Sequence, residues 1–170
     1  EPGAHLALSR ALVEDNREGG LLAGNDGTSV EATDVVVRGT RERASDGMRG
    51  RGIDVAPGAH LAVSRTLVEN NRESGLFVAG AGTNVEATDV VVRGTRERAS
   101  DGTLGRGIDV EPGAHLALSR ALVEDNREIG LLAAGIGTSV EATDVVVCGT
   151  REQASDGTLG RGVVVLVGAH

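Results

Sequence analysis

The sequence predicts an all-β protein, a solenoid of stacked parallel strands, on three observations. The stretch from Pro2 to Glu18 returns almost unchanged from Pro57 and again from Pro112, a step of 55 residues, and a fourth copy begins at Gly168. Apolar residues alternate with polar ones over short segments, which is typical of strands. No window shows the 3.6-residue period of a helix. Because a fixed internal period indicates stacked repeats, we expect a parallel β-helix.

Each repeat consists of two related halves. The segment from Leu6 to Glu18 aligns with the segment that begins at Val30, 24 residues later, and Val30 aligns with Leu61 after a further 31 residues. The extra residues fall at 43–51, in a loop that contains Ala-Ser-Asp-Gly. We therefore expect six coils, alternately short and long, in one solenoid over residues 1–170 with repeats at 2–56, 57–111 and 112–166. We interpret this solenoid as an excerpt of a longer array.

Three short strands are predicted in each coil, separated by Gly, Asn, Asp and Ser, which favour turns. The period-two alternation indicates which side chains face the interior. In the first coil these are Leu6, Leu8, Ala11, Val13, Leu21 and Ala23. In the second coil they are Val30, Ala32, Val35, Val37, Ile53 and Val55.

Composition limits the classes of function. The chain has 17 Lys and Arg against 25 Asp and Glu, a net charge of -8, which disfavours nucleic acid and other polyanions as partners. Phe77 is the one aromatic residue, so few rings are present on which a sugar could stack. Cys148 is the single cysteine, which excludes an internal disulfide. We find no segment apolar enough to span a membrane.

In a stacked fold, equivalent residues form columns along the solenoid, and two of these columns alternate in charge. Opposite charges on adjacent strands attract, and a slip of one coil would place like charges together, so we expect both columns to fix the register. The first column contains Arg10, Asp34, Arg65, Asp89, Arg120 and Asp144. The second contains Glu14, Arg38, Glu69, Arg93 and Glu124, and ends at Cys148.

A third column alternates between Asn and Thr in the turn after the second strand. We expect a structural role, because Asn tolerates left-handed backbone geometry and stacked side chains can form hydrogen bonds between coils. Its members are Asn16, Thr40, Asn71, Thr95, Asn126 and Thr150.

Two further stripes are candidate interaction surfaces. A basic stripe would suit an acidic polysaccharide, although an adjacent column of Glu residues favours mutual neutralisation. It contains Arg17, Arg41, Arg72, Arg96, Arg127 and Arg151, and the Glu column contains Glu18, Glu42, Glu73, Glu97, Glu128 and Glu152. An apolar stripe faces outward if Ala11 and Val13 face inward, and marks an association surface unless the long-coil loops cover it. It contains Leu12, Val36, Leu67, Val91, Leu122 and Val146.

We identify no catalytic residue, cofactor site or metal site in the sequence. His5, His60 and His115 recur in every second coil, about 9.6 Å apart, which is too far for two imidazoles to share a zinc ion. The Asn25-Asp26-Gly27 turn resembles a calcium loop only weakly, since its counterparts lack the oxygen ligands.

Asp54 and Asp109 are the acidic residues whose spacing most resembles a hydrolytic pair. Two coils separate them, at the upper edge of the about 9.5 Å that inverting glycosidases show between their carboxylates. Phe77 lies between them, where it would block a reactive centre, and Val164 replaces the Asp in the third repeat.

The repeat ending resembles that of a known superfamily. The pattern Asn-x-x-x-Gly-(Leu/Ile)-x-(Val/Ala), as in Asn16 to Ala23 with Val13 three residues before the Asn, is similar to right-handed parallel β-helix repeats of the pectin-lyase-like fold. The resemblance covers nearly the whole chain. It implies the fold and its handedness, and a secreted or cell-surface location, and it is nearly silent on activity.

Near-identity of the repeats argues against an active site, because an enzyme needs one unique set of groups in one place. We therefore expect a non-catalytic structural or interaction module of a larger secreted or cell-surface protein. The alternative is the β-helix scaffold of a polysaccharide lyase or hydrolase whose active site lies outside this segment. A polysaccharide is a candidate partner. Self-association, through uncapped ends or the apolar stripe, is also expected, because exposed edge strands can pair with another chain.

Overall fold

The computed structural model describes residues 3–170, which form twelve strands and no helix. Six long strands alternate along the chain with six short ones, and we call each long strand with the short strand after it a layer, numbered 1 to 6. The long strands are β1 (His5–Glu14), β3 (Ser29–Arg38), β5 (His60–Glu69), β7 (Asn84–Arg93), β9 (His115–Glu124) and β11 (Ser139–Cys148). The short strands are β2 (Gly19–Ala23), β4 (Arg51–Val55), β6 (Ser74–Val78), β8 (Arg106–Val110), β10 (Ile129–Ala133) and β12 (Arg161–Val165).

Both sets of strands form parallel sheets. The long strands make one six-stranded sheet in the order β1-β3-β5-β7-β9-β11, and the short strands make a second in the order β12-β10-β8-β6-β4-β2. Tandem strand pairs in two parallel sheets fit a β-solenoid-like fold. No helix among the described residues is long and apolar enough to cross a membrane. The first residue of the first predicted repeat, Pro2, lies outside the described residues.

The register of the strands confirms the alignment of the two halves of each repeat. Leu6 lies beside Val30, and Val30 lies beside Leu61. In the second sheet Leu21 lies beside Ile53, as the aligned Gly-Leu-Leu-Ala and Gly-Ile-Asp-Val segments predict. Equivalent residues of successive layers therefore form continuous columns.

A backbone kink joins the first two predicted strands into one strand of ten residues. In β3 the buried residues step from Ala32 to Val35, so that Thr33 and Asp34 both face outward. Asp34 adopts a left-handed backbone with φ of 56°, and the equivalent residue in each of the other five layers does the same. After the left-handed residue, the next side chain again faces the interior, and the strand continues without a break. The prediction of three separate strands per coil is therefore wrong, since the first two form one strand.

The core lies between the two sheets and consists of small aliphatic side chains. All six residues predicted to face inward in layer 2 are buried. In layer 1 Leu21 and Ala23 are buried, whereas Leu6 is 45% exposed, because β1 has a neighbouring long strand on one side only among the described residues. The interior is thus a stack of similar thin layers, each of which needs its neighbours to bury its apolar side chains.

Glycine is required near the start of the short strands β2, β4, β6, β8 and β10, because a Cβ atom there would meet both the long-strand sheet and the neighbouring short strand. A Cβ atom on Gly75 would lie 2.5 Å from Cγ1 of Val92 and 2.7 Å from the carbonyl oxygen of Gly107. Neither contact leaves room for a methyl group. The Gly-Leu and Gly-Ile pairs that recur in the sequence therefore reflect a steric limit.

Buried asparagines connect the turn of one layer to the layer before it. Asn71 accepts a hydrogen bond from the backbone NH of Thr40 at 3.0 Å, and Asn126 accepts one from the NH of Thr95 at 3.0 Å. The Asn126 side chain also donates to the carbonyl of Val92 at 3.2 Å. The left-handed residue in this turn is the preceding one, such as Asp125 with φ of 52°. The Asn column is therefore structural through its hydrogen bonds rather than through its backbone conformation.

The extra residues of layers 2, 4 and 6 form loops that contact one another. The loops at 43–50, 98–105 and 153–160 lie two layers apart. The backbone NH of Ala99 donates to Glu42 at 2.7 Å, and the NH of Ala154 donates to Glu97 at 2.9 Å. These carboxylates from the predicted Glu column therefore hold successive loops together.

We predict that Asn126→Ala lowers the free energy of unfolding by about 2–3 kcal/mol, because it leaves the buried NH of Thr95 and the carbonyl of Val92 without partners. Urea denaturation followed by circular dichroism measures the change. Asn16→Ala is the matched control, since the Asn16 side chain makes no hydrogen bond with the described residues, and should change stability by less than about 0.5 kcal/mol. Equal effects of the two substitutions would contradict the assigned role.

Candidate interaction surfaces

The residues of the predicted apolar stripe lie side by side on the outer face of the long-strand sheet. Leu12 is beside Val36, Val36 beside Leu67, and the column continues in the same way to Val146. Leu12 is 53% exposed and Val146 is 55% exposed, while the four residues between them are half-buried. The stripe is therefore continuous over all six layers.

The loop at 43–50, in layer 2, makes its hydrogen bonds and ion pairs with residues outside this stripe. Arg43 and Arg49 contact Glu18, with Nη1 of Arg49 at 2.7 Å, and the backbone NH of Arg49 donates to Glu73 at 2.8 Å. Ser100 of the next loop donates to the carbonyl of Gly47 at 3.1 Å. The loop is thus tied to the turn beside the short strands and to the loop two layers away.

One flank of the apolar stripe is the charge column at the kink. Arg65 makes a bidentate pair with Asp34 at 2.6 and 3.0 Å, and Arg120 makes the same pair with Asp89 at 2.7 and 2.9 Å. Hydrogen bonding to Arg65 lowers the pKa of Asp34 below its ordinary value. These pairs connect layer 2 to layer 3 and layer 4 to layer 5.

The other flank is the charge column at the ends of the long strands. Arg38 contacts Glu14 at 2.7 Å, and Arg93 contacts Glu69 at 2.9 Å and Glu124 at 3.9 Å. The two short contacts connect layer 1 to layer 2 and layer 3 to layer 4. The two columns are therefore staggered, and between them they place a short ion pair at every junction from layer 1 to layer 5.

The predicted basic stripe lies in the turn after the long strands, where its arginines share carboxylates and carbonyls. Arg72 donates to the backbone carbonyl of Glu97 at 2.7 Å and lies 3.7 Å from the Glu42 carboxylate. Equivalent arrangements hold Arg127 to the carbonyl of Glu152 and to Glu97. Their side-chain partners are members of the predicted Glu column, each from the preceding layer.

Arg96 differs from the other residues of the basic stripe because its side chain makes no hydrogen bond or ion pair with the described residues. Arg41 contacts Asp15 at 3.6 Å and Arg151 contacts Asp125 at 3.3 Å, but Asn70 occupies the corresponding position in layer 3. No carboxylate among the described residues lies within 4.0 Å of Arg96. Arg96 lines a groove of about 630 Å³ that also contains Arg93, Glu97, Glu124 and Asp125. The groove is therefore of mixed charge.

Buried ion clusters on the outer face of the short-strand sheet are absent from the sequence-based prediction. Arg106 contacts Asp109 at 3.0 Å and Glu128 at 2.9 Å. Gln153 also donates to Glu128, and the side chains of Asp109 and Glu128 are almost fully buried. The local signal in the sequence is the Arg three residues before the Asp, as in Arg-Gly-Ile-Asp at 106–109.

The same cluster in the first repeat includes the aromatic ring. Arg51 contacts Asp54 and Glu73, both at 3.0 Å, and its guanidinium carbon lies 3.4 Å from the centre of the Phe77 ring. Phe77 lies in register between Asp54 and Asp109, as predicted. Each of these carboxylates is bound by its own arginine.

Burial changes the pKa of Asp109. It raises the pKa of this carboxyl to about 6, and the nearby Glu111 adds to the effect while Arg106 opposes it. Asp109 Oδ1 is buried without a hydrogen-bond partner, so one oxygen of the carboxylate is desolvated without compensation and the protonated form is favoured.

The predicted histidine and acidic-turn residues are dispersed. His60 lies beside Ser29 and Asn84, as expected for histidines in alternate layers. Within residues 3–170, no group of three or more His, Cys, Asp or Glu side chains is positioned to hold a metal ion. The Asn25-Asp26-Gly27 turn is exposed.

Comparisons with known proteins add little to this description. No family model matches the chain, and no curated protein matches it in sequence. Among solved structures it is similar to that of QnrB1, a plasmid-mediated fluoroquinolone resistance protein, with 13% identity over 96% of this chain and 91% of that chain and a TM-score of 0.19. A likeness at this level carries no argument about fold or function.

We predict that Arg106→Ala lowers the free energy of unfolding by about 3 kcal/mol, because it leaves Asp109 and Glu128 as buried charges without their cation. Arg161→Ala is the matched control, since Val164 stands where the Asp would be and Arg161 is exposed. Urea denaturation of both variants, followed by circular dichroism, measures the difference. If the two variants lost equal stability, the cluster would not have the assigned role.

A second prediction concerns pH. Because the folded-state pKa of Asp109, about 6, lies above its unfolded value, the native state binds more protons between about pH 4 and pH 6. The contribution of Asp109 to the free energy of unfolding therefore falls as pH rises through this window and is constant above it. The stability of the wild type relative to Asp109→Asn should follow the same curve in urea denaturation.

Asp34→Asn is the control for this measurement. The pKa of Asp34 is lowered, so its contribution is present above the unfolded pKa and is lost as the pH falls below about 4. The two comparisons should change in opposite directions and in different windows. A pH-independent difference between the wild type and Asp109→Asn would contradict the raised pKa.

Proposed function

We propose that this chain is a non-catalytic structural or interaction module of a larger secreted or cell-surface protein, a rigid rod that presents regular charged columns. The observation that carries this proposal is the staggered pairing of the two charge columns. In these columns the charged side chains contact each other between layers, as Asp34 does with Arg65 and Glu14 with Arg38. The same arrangement recurs one repeat later, so that the charges act as connectors between layers rather than as a localised site.

We also propose the finer description of the fold: a right-handed solenoid of six coils, of the pectin-lyase-like kind. The repeat ending that resembles this superfamily supports it, because its two fixed residues have roles in stacking. The Asn forms the buried hydrogen bonds of Asn71 and Asn126, and the Gly allows the close approach at Gly75. Six layers at about 4.8 Å each give a rod roughly 29 Å long.

The test of the structural role is a double-mutant cycle at one junction. Asp34→Asn and Arg65→Gln should each lower the urea midpoint, because each removes one charge of the pair that connects layer 2 to layer 3. The loss in the double variant should be smaller than the sum of the two single losses, because the pair can be lost only once. Circular dichroism follows the unfolding, and the same cycle at the exposed pair Asp89 and Arg120 is an independent repeat.

Two outcomes would contradict the proposal. One is additive losses from Asp34→Asn and Arg65→Gln, which would show that this pair does not connect the layers. The other is catalysis by the chain itself. Incubated with acidic and neutral polysaccharides, the chain should generate no new reducing ends and no unsaturated products, in contrast to a lyase and a hydrolase used as positive controls.

A further inference from the structure

We propose that the outer face of the long-strand sheet, between the kink and the strand ends, binds the same face of a second copy of this chain. We call this region the three-column face: the kink column, the apolar stripe and the strand-end column. The proposal deepens the module function above by naming the partner. It is carried by the order of charges on the face, which makes the face complementary to itself.

The geometry of the face allows a two-fold arrangement. The three columns occupy positions two residues apart, as in Arg10, Leu12 and Glu14 of layer 1. At about 3.3 Å per residue the apolar stripe lies about 6.6 Å from each charged column. The stripe is therefore central, and a two-fold axis through it superimposes the stripe on the partner's stripe and each charged column on a charged column.

The signs of the two charged columns are opposite within each layer. Layer 1 has Arg10 at the kink and Glu14 at the strand end, whereas layer 2 has Asp34 at the kink and Arg38 at the strand end. The pattern continues through layer 5, and layer 6 has Asp144 with Cys148. With a two-fold axis along the rod, the kink column of one copy faces the strand-end column of the other. Opposite charges then meet in layers 1 to 5.

A two-fold axis across the rod gives the same result by a different route. Layer 1 then faces layer 6 of the partner and layer 3 faces layer 4. Because the kink column alternates over an even number of layers, an Arg again faces an Asp at each position, for example Arg65 and Asp89. A shift of one layer in either arrangement places like charges together, so the pairing is specific in register.

The exposure of the face leaves these groups accessible. The side chains of Arg65 and Asp34 are 58% and 43% exposed although they contact each other. Each retains acceptor or donor capacity on its outer side, since a guanidinium has five donors and a carboxylate accepts several. The apolar stripe supplies a continuous aliphatic line to be removed from water.

The size of the face sets the strength of the association. A rod of roughly 29 Å and a face about 13 Å wide give on the order of 400 Å² from each copy, or about 800 Å² in total. This lies below the 1,200–2,000 Å² of stable complexes, in the range of weak and transient ones. We therefore expect a dimer that forms reversibly as the protein concentration rises.

Sedimentation velocity of the 170-residue chain from about 5 μM to 1 mM tests the proposal. The wild type should shift from monomer to dimer over this range, and Leu67→Glu, which places a charge at the centre of the stripe, should weaken the dimer at least tenfold. His60→Glu is the control, because His60 is exposed on the same strand between the neutral Ser29 and Asn84, and lies on the far side of the kink. Circular dichroism verifies that both variants remain folded.

Disulfide trapping in a Cys148→Ser background is the second measurement, and it remains informative if Leu67→Glu fails to fold. An axis along the rod brings Leu12 of one copy to Leu12 of the other, so Leu12→Cys chains should cross-link with themselves. An axis across the rod brings Leu12 to Val146, so Leu12→Cys chains should cross-link to Val146→Cys chains. Either result supports the proposal. Equal traps with Ala62→Cys would show non-specific collision and overturn it.

The remaining outcomes also overturn the proposal. These are a monomer at all concentrations, a dimer that Leu67→Glu leaves unchanged, and cross-linking at neither position. Unchanged association would assign the contact to another surface, such as the outer sides of layers 1 and 6. None of these results bears on the double-mutant cycle at Asp34 and Arg65, so failure of the pairing and failure of the structural module remain distinguishable.

Discussion

Adjacent layers lie about 4.8 Å apart, and every side chain must therefore be compatible with its equivalents above and below. Aliphatic residues meet this condition easily, which explains why Val, Leu, Ile and Ala fill most of the core columns. Charged residues do not, since two like charges at this distance repel. The structure meets the condition by alternating sign, as in Asp34 and Arg65, or by bringing in partners from elsewhere in the chain.

The second solution is evident where the sequence does not alternate. The Glu column would place six like charges in line, but its members have different partners. Glu73 and Glu128 are buried beside Arg51 and Arg106, whereas Glu42 and Glu97 accept hydrogen bonds from the loops two layers away. A column that looks uniform in sequence is therefore two interleaved sets, one for each kind of layer.

Much of the fold follows from the sequence because the constraint between layers is local and periodic. The offsets from Leu6 to Val30 and from Val30 to Leu61 determine the register, and the register determines which residues share a column. The left-handed residue at Asp34 was not predicted, because its alternation with Arg suggests a charge role and gives no sign of backbone geometry. The contact of Arg72 with the Glu97 carbonyl and the partners of Arg106 do not follow from the sequence, since they depend on the path of the loops and on side-chain direction.

The alternation of Arg10, Asp34 and Arg65 also limits how an array of this kind can grow or shrink. Deleting one layer would bring Arg against Arg or Asp against Asp at the kink, and would do the same at the strand ends. Deleting two layers keeps the alternation of charge in both columns and keeps the loops two layers apart. An insertion or deletion compatible with this architecture therefore adds or removes two layers at a time. The 55-residue unit visible in the sequence is the smallest segment that can be duplicated or lost without a fault in the stack.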